Sequence, residues 1–180
     1  MNDKRFPATT ARTNTFGIRV LVLMGVRGCG KSVVGAAVAR QWDADFQDAD
    51  HWHTPGAVAK MAAGLPLTDD DRAPWLQCLR EKIIAATPPD GRTVLACSAL
   101  RRCYRDALRT GQNGVLFVYL SGSRELIADR MSRRRHEYMP AALLDSQFAA
   151  LEEPASDEAV TVSIEPPLEA VVTAVMECLA

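Results

Sequence analysis

Gly25-Val26-Arg27-Gly28-Cys29-Gly30-Lys31-Ser32 satisfies the spacing G-x-x-x-x-G-K-S, and nothing else in the 180 residues constrains the fold as strongly. Such a loop needs a strand feeding into it and a helix leaving it. Both are legible. Ile18 to Met24 is an apolar run broken only by Arg19, the pattern of a strand buried on both faces. Val33 to Trp42 carries small and apolar residues at helical spacing. The glycines let the backbone curl until successive N–H groups point at one anion, and the helix start adds the positive end of its dipole. Gly25 to Ser32, with Val33 just beyond, are therefore the candidate nucleotide-binding residues. Lys31 supplies a point charge to the β- and γ-phosphates, and Ser32 a hydroxyl ligand for Mg²⁺.

The remaining elements alternate. A short strand over Ala44 to Gln47 ends in Asp48-Ala49-Asp50, and a helix is expected from Thr54 to Gly64. Thr68 and Asp71 have capping-box spacing ahead of a helix through Trp75, Leu79 and Ile83. Thr93 to Cys97 reads as a buried strand and Leu100 to Arg109 as a helix. Val115 to Leu120 is a further strand, and Ser123 caps a helix toward Arg133. A helix over Pro140 to Leu151, a strand over Ala159 to Ile164 and a helix from Pro167 to Leu179 close the chain. This order predicts an α/β domain with a mainly parallel sheet. One domain is expected over residues 17–180, after a polar tail over 1–16 read as disordered and lacking the apolar stretch of a signal peptide.

Composition removes several classes. A formal net charge of −1 gives no global attraction to nucleic acid or membrane, and no apolar run approaches the roughly 20 residues of a span. The five cysteines contain no C-x-x-C pair, which points to reduced thiols in a cytoplasmic protein. Cys29, inside the glycine loop, is either a small packing residue or an oxidant-sensitive thiol.

Asp48 and Asp50 fall at the carboxyl end of the second strand, where open α/β sheets bind ligands. After a phosphate loop, one carboxylate can orient the metal and the other accept a proton from an attacking hydroxyl. Asp48 is thus the candidate metal residue beside Ser32, and Asp50 the candidate base. His53 is expected to contact substrate or pack locally; His51 and His136 complete a set too small for a dedicated transition-metal site. Arg130 and Arg134 stand one helical turn apart and can face one phosphate, whereas Arg133 and Arg135 read as a solvated face. Ser98, Arg101 and Arg102 follow the strand ending at Cys97-Ser98 and suit an anionic acceptor. Arg105 and Arg109 read as surface.

Three longer stretches carry a resemblance. They are Lys60-Met61-x-x-Gly64-x-Pro66-Leu67-Thr68-Asp69-x-Asp71-Arg72-x-Pro74-Trp75-Leu76, Ala96-Cys97-Ser98-Ala99-Leu100-Arg101-Arg102-x-Tyr104-Arg105, and Met139-Pro140 with Leu143-Leu144-Asp145-Ser146-Gln147. In them the chain resembles the gluconokinases, a shikimate-kinase-like branch of P-loop small-molecule kinases. The resemblance implies five parallel strands with flanking helices and a mobile lid, often in a homodimer. It implies ATP with Mg²⁺ and D-gluconate giving 6-phosphogluconate and ADP. It places Lys31 and Ser32 at the phosphates, Asp50 near the acceptor hydroxyl, and Lys60, Arg72, Arg101 and Arg102 at the sugar acid. Arg130 is implied toward adenine and Arg134 in the lid as a catalytic arginine. Relative to the family pattern, Arg27 stands in place of a serine, Val33 in place of a hydroxyl residue, Ala49 in place of a glycine and Thr54 in place of a proline. Another sugar acid or a shikimate-like acceptor, or nucleotide binding without turnover in a regulatory protein, are the alternatives that the sequence leaves open.

Overall fold

The computed structural model describes residues 17–133 and 141–180. Strands β1 (Val20–Met24), β2 (Asp45–Asp48), β3 (Thr93–Ala96), β4 (Val115–Ser121) and β5 (Val160–Ser163) form one sheet in the order β2-β3-β1-β4-β5. Every pairing is parallel. The helices are α1 (Lys31–Trp42), α2 (Pro55–Ala62), α3 (Asp69–Leu79), α4 (Arg102–Arg109), α5 (Arg124–Ser132), α6 (Ala141–Ala150) and α7 (Leu168–Glu177). None is long and apolar enough to cross a membrane.

The unbroken apolar run of β1 has a direct cause. Leu21 and Leu23 enter one core with Val34 and Val38 of α1 and Val171 and Val175 of α7. Val20, Val22 and Met24 enter a second core with Trp75 and Leu79 of α3 and Leu108 of α4. Successive side chains of a strand point to opposite faces, so a strand covered on both sides needs apolar residues throughout. Arg19, just ahead of it, donates from Nη1 to the Thr87 carbonyl at 2.8 Å.

Parallel register brings the functional ends of the strands to one edge. Asp48 is level with Ala96 of β3, which is level with Leu23 of β1. Gly25, Asp50 and Ser98 therefore leave the sheet together, where the chain order reverses around β1.

Element boundaries agree with the sequence expectation to within a residue or two at most ends. The helix expected through Ile83 is α3 followed by a widened π-helical turn over Arg80–Ile84, closed by Ala85 N–H donating to Arg80 O at 2.8 Å. Thr68 and Asp71 form the full reciprocal capping box. Thr54 caps α2 by accepting from Ala57 N–H, and Pro55 occupies the first helical position, so a threonine serves that start well.

One expectation fails outright. Arg105 is not at the surface: it is 1 % exposed. Its Nη1 donates to the carbonyls of Ala99, Leu100 and Glu152, and its Nη2 pairs with Glu158 at 3.3 Å. Arg109 is likewise half-buried, lying 5.0 Å over the Phe117 ring and donating to Glu158 O. The tail over 1–16 and residues 134–140, among them Arg134, which the resemblance assigns to a lid, lie outside the described residues.

Candidate active site

The loop after β1 is held in a shape that two of its glycines make possible. Gly25 has φ 140°, and a Cβ there would sit 2.9 Å from Leu120 O; Gly28 has φ 86°, and a Cβ there would sit 2.7 Å from Met131. Gly30 is the N-cap of α1 and accepts from Val34 N–H at 2.9 Å. Gly25 N–H donates to Ser98 O at 3.2 Å, tying the loop to the turn after β3. Lys31 Nζ donates to Gly25 O and Val26 O at 3.0 and 3.1 Å. Arg27 N–H donates to Gln147 Oε1 of α6 at 2.6 Å. Cys29 is 1 % exposed, so it packs beneath the loop and offers its thiol to no solvent oxidant.

Ser32 Oγ donates to Asp48 Oδ2 at 2.7 Å, which joins the start of α1 to the end of β2. A hydroxyl and a carboxylate in contact suit a hard divalent cation that takes its other ligands from phosphate oxygens and water. Among the described residues no group of three His, Cys, Asp or Glu side chains would hold a metal on its own. The donor set therefore fits Mg²⁺ arriving with a nucleotide. Asp50 follows on a short 3₁₀ turn, its N–H donating to Asp48 Oδ1 at 3.1 Å and its carboxylate exposed.

On the acceptor side, cations gather around the start of α3. Lys60 Nζ pairs with Asp71 at 2.6 Å, and Arg101 Nη1 with Asp69 at 2.8 Å. Arg72 donates to Leu67 O and lies 5.6 Å over the Tyr104 ring, whose hydroxyl donates to Asp69. The Lys60 bond and the Thr68 N–H hold the Asp71 carboxyl at about 2. Burial, with the bond to Asp69, pushes the Tyr104 phenol up. His53 packs its ring on Trp75, with centroids 4.3 Å apart, and burial pulls its pKa below 6.5 against the opposing effect of Asp50. Arg102 departs from the expected grouping. Its guanidinium, on the first residue of α4, reaches Glu158 at 3.5 Å and Asp106 at 4.0 Å.

Beside the glycine loop is a cavity of about 200 Å³, walled by Gly28, Val33, Pro166, Pro167 and Leu168. Arg130 lines it and donates from Nη2 to Ile164 O at 2.6 Å. Apolar walls with one guanidinium suit a nucleobase. Two contributors to the site, and one buried residue of the fold, escaped the sequence reading. Gln147 was visible only as part of a stretch, Trp75 only as a residue of a helix and a stretch, and Arg105 read as surface.

The family model described as Shikimate kinase matches residues 27–179. The thermoresistant gluconokinase of Escherichia coli (strain K12) is 41 % identical over 162 residues, covering 89 % of this chain and 93 % of that protein. The gluconokinase of Gluconobacter oxydans (strain 621H) is 44 % identical over 142 residues, covering 79 % and 80 %. The crystal structure of a gluconokinase from Sinorhizobium meliloti 1021 superposes with a TM-score of 0.82 at 40 % identity, covering 91 % and 92 %. With its phosphate loop, acidic turn and parallel sheet in that arrangement, the chain belongs to the gluconokinase family, within the wider shikimate-kinase group of P-loop kinases.

Proposed function

We infer that this protein phosphorylates D-gluconate with ATP, giving 6-phosphogluconate and ADP. The observation that carries the reading is 41 % identity over 89 % of the chain to the E. coli thermoresistant gluconokinase, with Lys31, Ser32, Asp48 and Asp50 brought to one sheet edge.

In this reading the backbone N–H groups of residues 25–32 receive the phosphates, and Lys31 leaves its loop carbonyls for the β- and γ-phosphates. Ser32 and Asp48 would hold Mg²⁺, which would supply charge neutralisation at the phosphates. Asp50 accepts the proton of the attacking hydroxyl as its oxygen bonds to the γ-phosphorus and the bond to the β-bridging oxygen breaks. Lys60, Arg72 and Arg101, with Ser98, receive the sugar acid, while His53 packs beneath the turn; the acceptor's carboxylate would exchange with Asp69 or Asp71 on these cations. The nucleobase occupies the cavity by Val33 and Arg130, and Arg134 is the catalytic arginine that the family resemblance assigns to the phosphates. Catalysis then rests on positioning and charge neutralisation.

The test is ADP release with ATP, Mg²⁺ and D-gluconate against a blank and a panel of sugar acids and shikimate. Gluconate-dependent release is expected, nearly abolished in Lys31→Ala and in Asp50→Asn. Faster release with another acceptor would reassign the substrate. ATP binding without release for any acceptor would favour a regulatory protein. Full activity in Asp50→Asn would remove the assigned base.

A further inference from the structure

We propose that Trp75 is a positioning residue for the reaction, fixing the aim of Asp50 from α3; this rests on the reading of Asp50 as the base. The Asp50 side chain is 81 % exposed, so the packing of its own carboxylate cannot set its direction. The backbone of the turn must do so. Trp75, 3 % exposed, donates from its indole Nε1 to Ala49 O at 2.8 Å in a buried hydrogen bond. Ala49, itself fully buried, is the residue between the two aspartates.

The same indole holds the turn from its other end. Its ring stacks on His53 with 14° between planes, and His53 Nε2 lies 4.0 Å from Asp50 Oδ1. The His53 side chain is 6 % exposed and its Nδ1 is buried with no hydrogen-bond partner, so the stack on Trp75 is what locates the ring. One side chain thus grips the residues on both sides of Asp50, and the Asp50 N–H to Asp48 bond closes the turn between them. Indole is suited to this double task. It has a large flat face for the stack and a single N–H donor, which phenylalanine lacks.

Losing the donor keeps both aspartates but releases the turn that carries Asp50. A displacement near 1 Å at a reacting group costs about a hundredfold in rate. Substrate binding rests mainly on the glycine loop and on Lys60, Arg72 and Arg101 around the start of α3, none of which bonds to Ala49. Trp75 therefore acts on kcat rather than on KM for ATP.

The experiment compares Trp75→Phe with Leu79→Val, which opens space in the same core without removing the bond to Ala49. For both, kcat, KM for ATP and for gluconate, melting temperature and amide hydrogen exchange at Asp50 are measured. Trp75→Phe is expected to lose about tenfold to a hundredfold in kcat, with KM for ATP near wild type and faster Asp50 exchange. Leu79→Val is expected to melt earlier while keeping its kcat and its Asp50 exchange rate. Equal kcat and equal exchange in the two variants would overturn the proposal. If the wild type releases no ADP with gluconate, the functional reading falls, and Asp50 exchange alone decides the positioning. Faster exchange in Trp75→Phe than in Leu79→Val then upholds it, and equal rates overturn it.

Discussion

Replacing Arg105 with methionine removes a guanidinium that is 1 % exposed and keeps an aliphatic stem of similar reach. It leaves Glu158, 8 % exposed, without its closest cationic partner, and it strands the carbonyls of Ala99 and Glu152 that Arg105 satisfies. Breaking a buried pair from one side typically costs about 3–5 kcal/mol, since the remaining charge stays desolvated. Arg102, 3.5 Å from Glu158 but largely exposed, recovers part of that, so the lower end is expected. At about 2–4 °C per kcal/mol for a domain of this size, the melting temperature should fall by about 6–12 °C.

A double variant, Arg105→Met with Glu158→Leu, removes both charges and should recover much of the loss. Thermal denaturation of the four proteins in this cycle gives the coupling directly. The difference should also depend on pH. The Ala155 N–H, followed by Arg105, holds the Glu158 carboxyl below its usual 4.5. A carboxyl lowered in the folded state adds stability that is present above the unfolded pKa and lost as pH falls through the folded one. The gap between wild type and Arg105→Met should therefore be full at neutral pH and narrow as the medium becomes more acidic than the usual carboxylate range. A loss under about 1 kcal/mol at neutral pH would refute the reasoning, as would a double variant no more stable than Arg105→Met.

Val33 is half-exposed on the cavity beside the glycine loop, so Val33→Thr should add one hydrogen bond to a bound nucleotide. ATP should bind a few-fold to about tenfold more tightly, corresponding to about 1 kcal/mol, as read by titration calorimetry. Gly28→Ala would force a side chain onto a backbone at φ 86° and against Met131, a strain of about 1–2 kcal/mol, so the melting temperature should fall by about 2–8 °C and ATP affinity should drop as the loop shifts. Thr68→Ala removes the hydroxyl half of the capping box and should cost about 1 kcal/mol, a fall of about 2–4 °C in melting temperature, with KM for ATP unchanged.

What the sequence determined about this protein is what short spacings encode. The strand–loop–helix around Lys31, the caps at Thr68 and Ser123, and the alternation that makes a parallel sheet all rest on contacts within a few residues. So does the pairing of Asp48 with Asp50, one residue apart at a strand end. The tertiary structure decided which long-range partner each polar side chain finds. Arg105 and Glu158 are 53 residues apart, Trp75 and Ala49 are 26, and Arg27 and Gln147 are 120. An arginine on a helix reads the same whether it meets water or a buried carboxylate, because its own periodicity carries no record of what packs over it. The same holds for Trp75, whose apolar face announced a core residue. Only the fold, by laying α3 against the turn after β2, revealed the indole N–H at the back of Asp50.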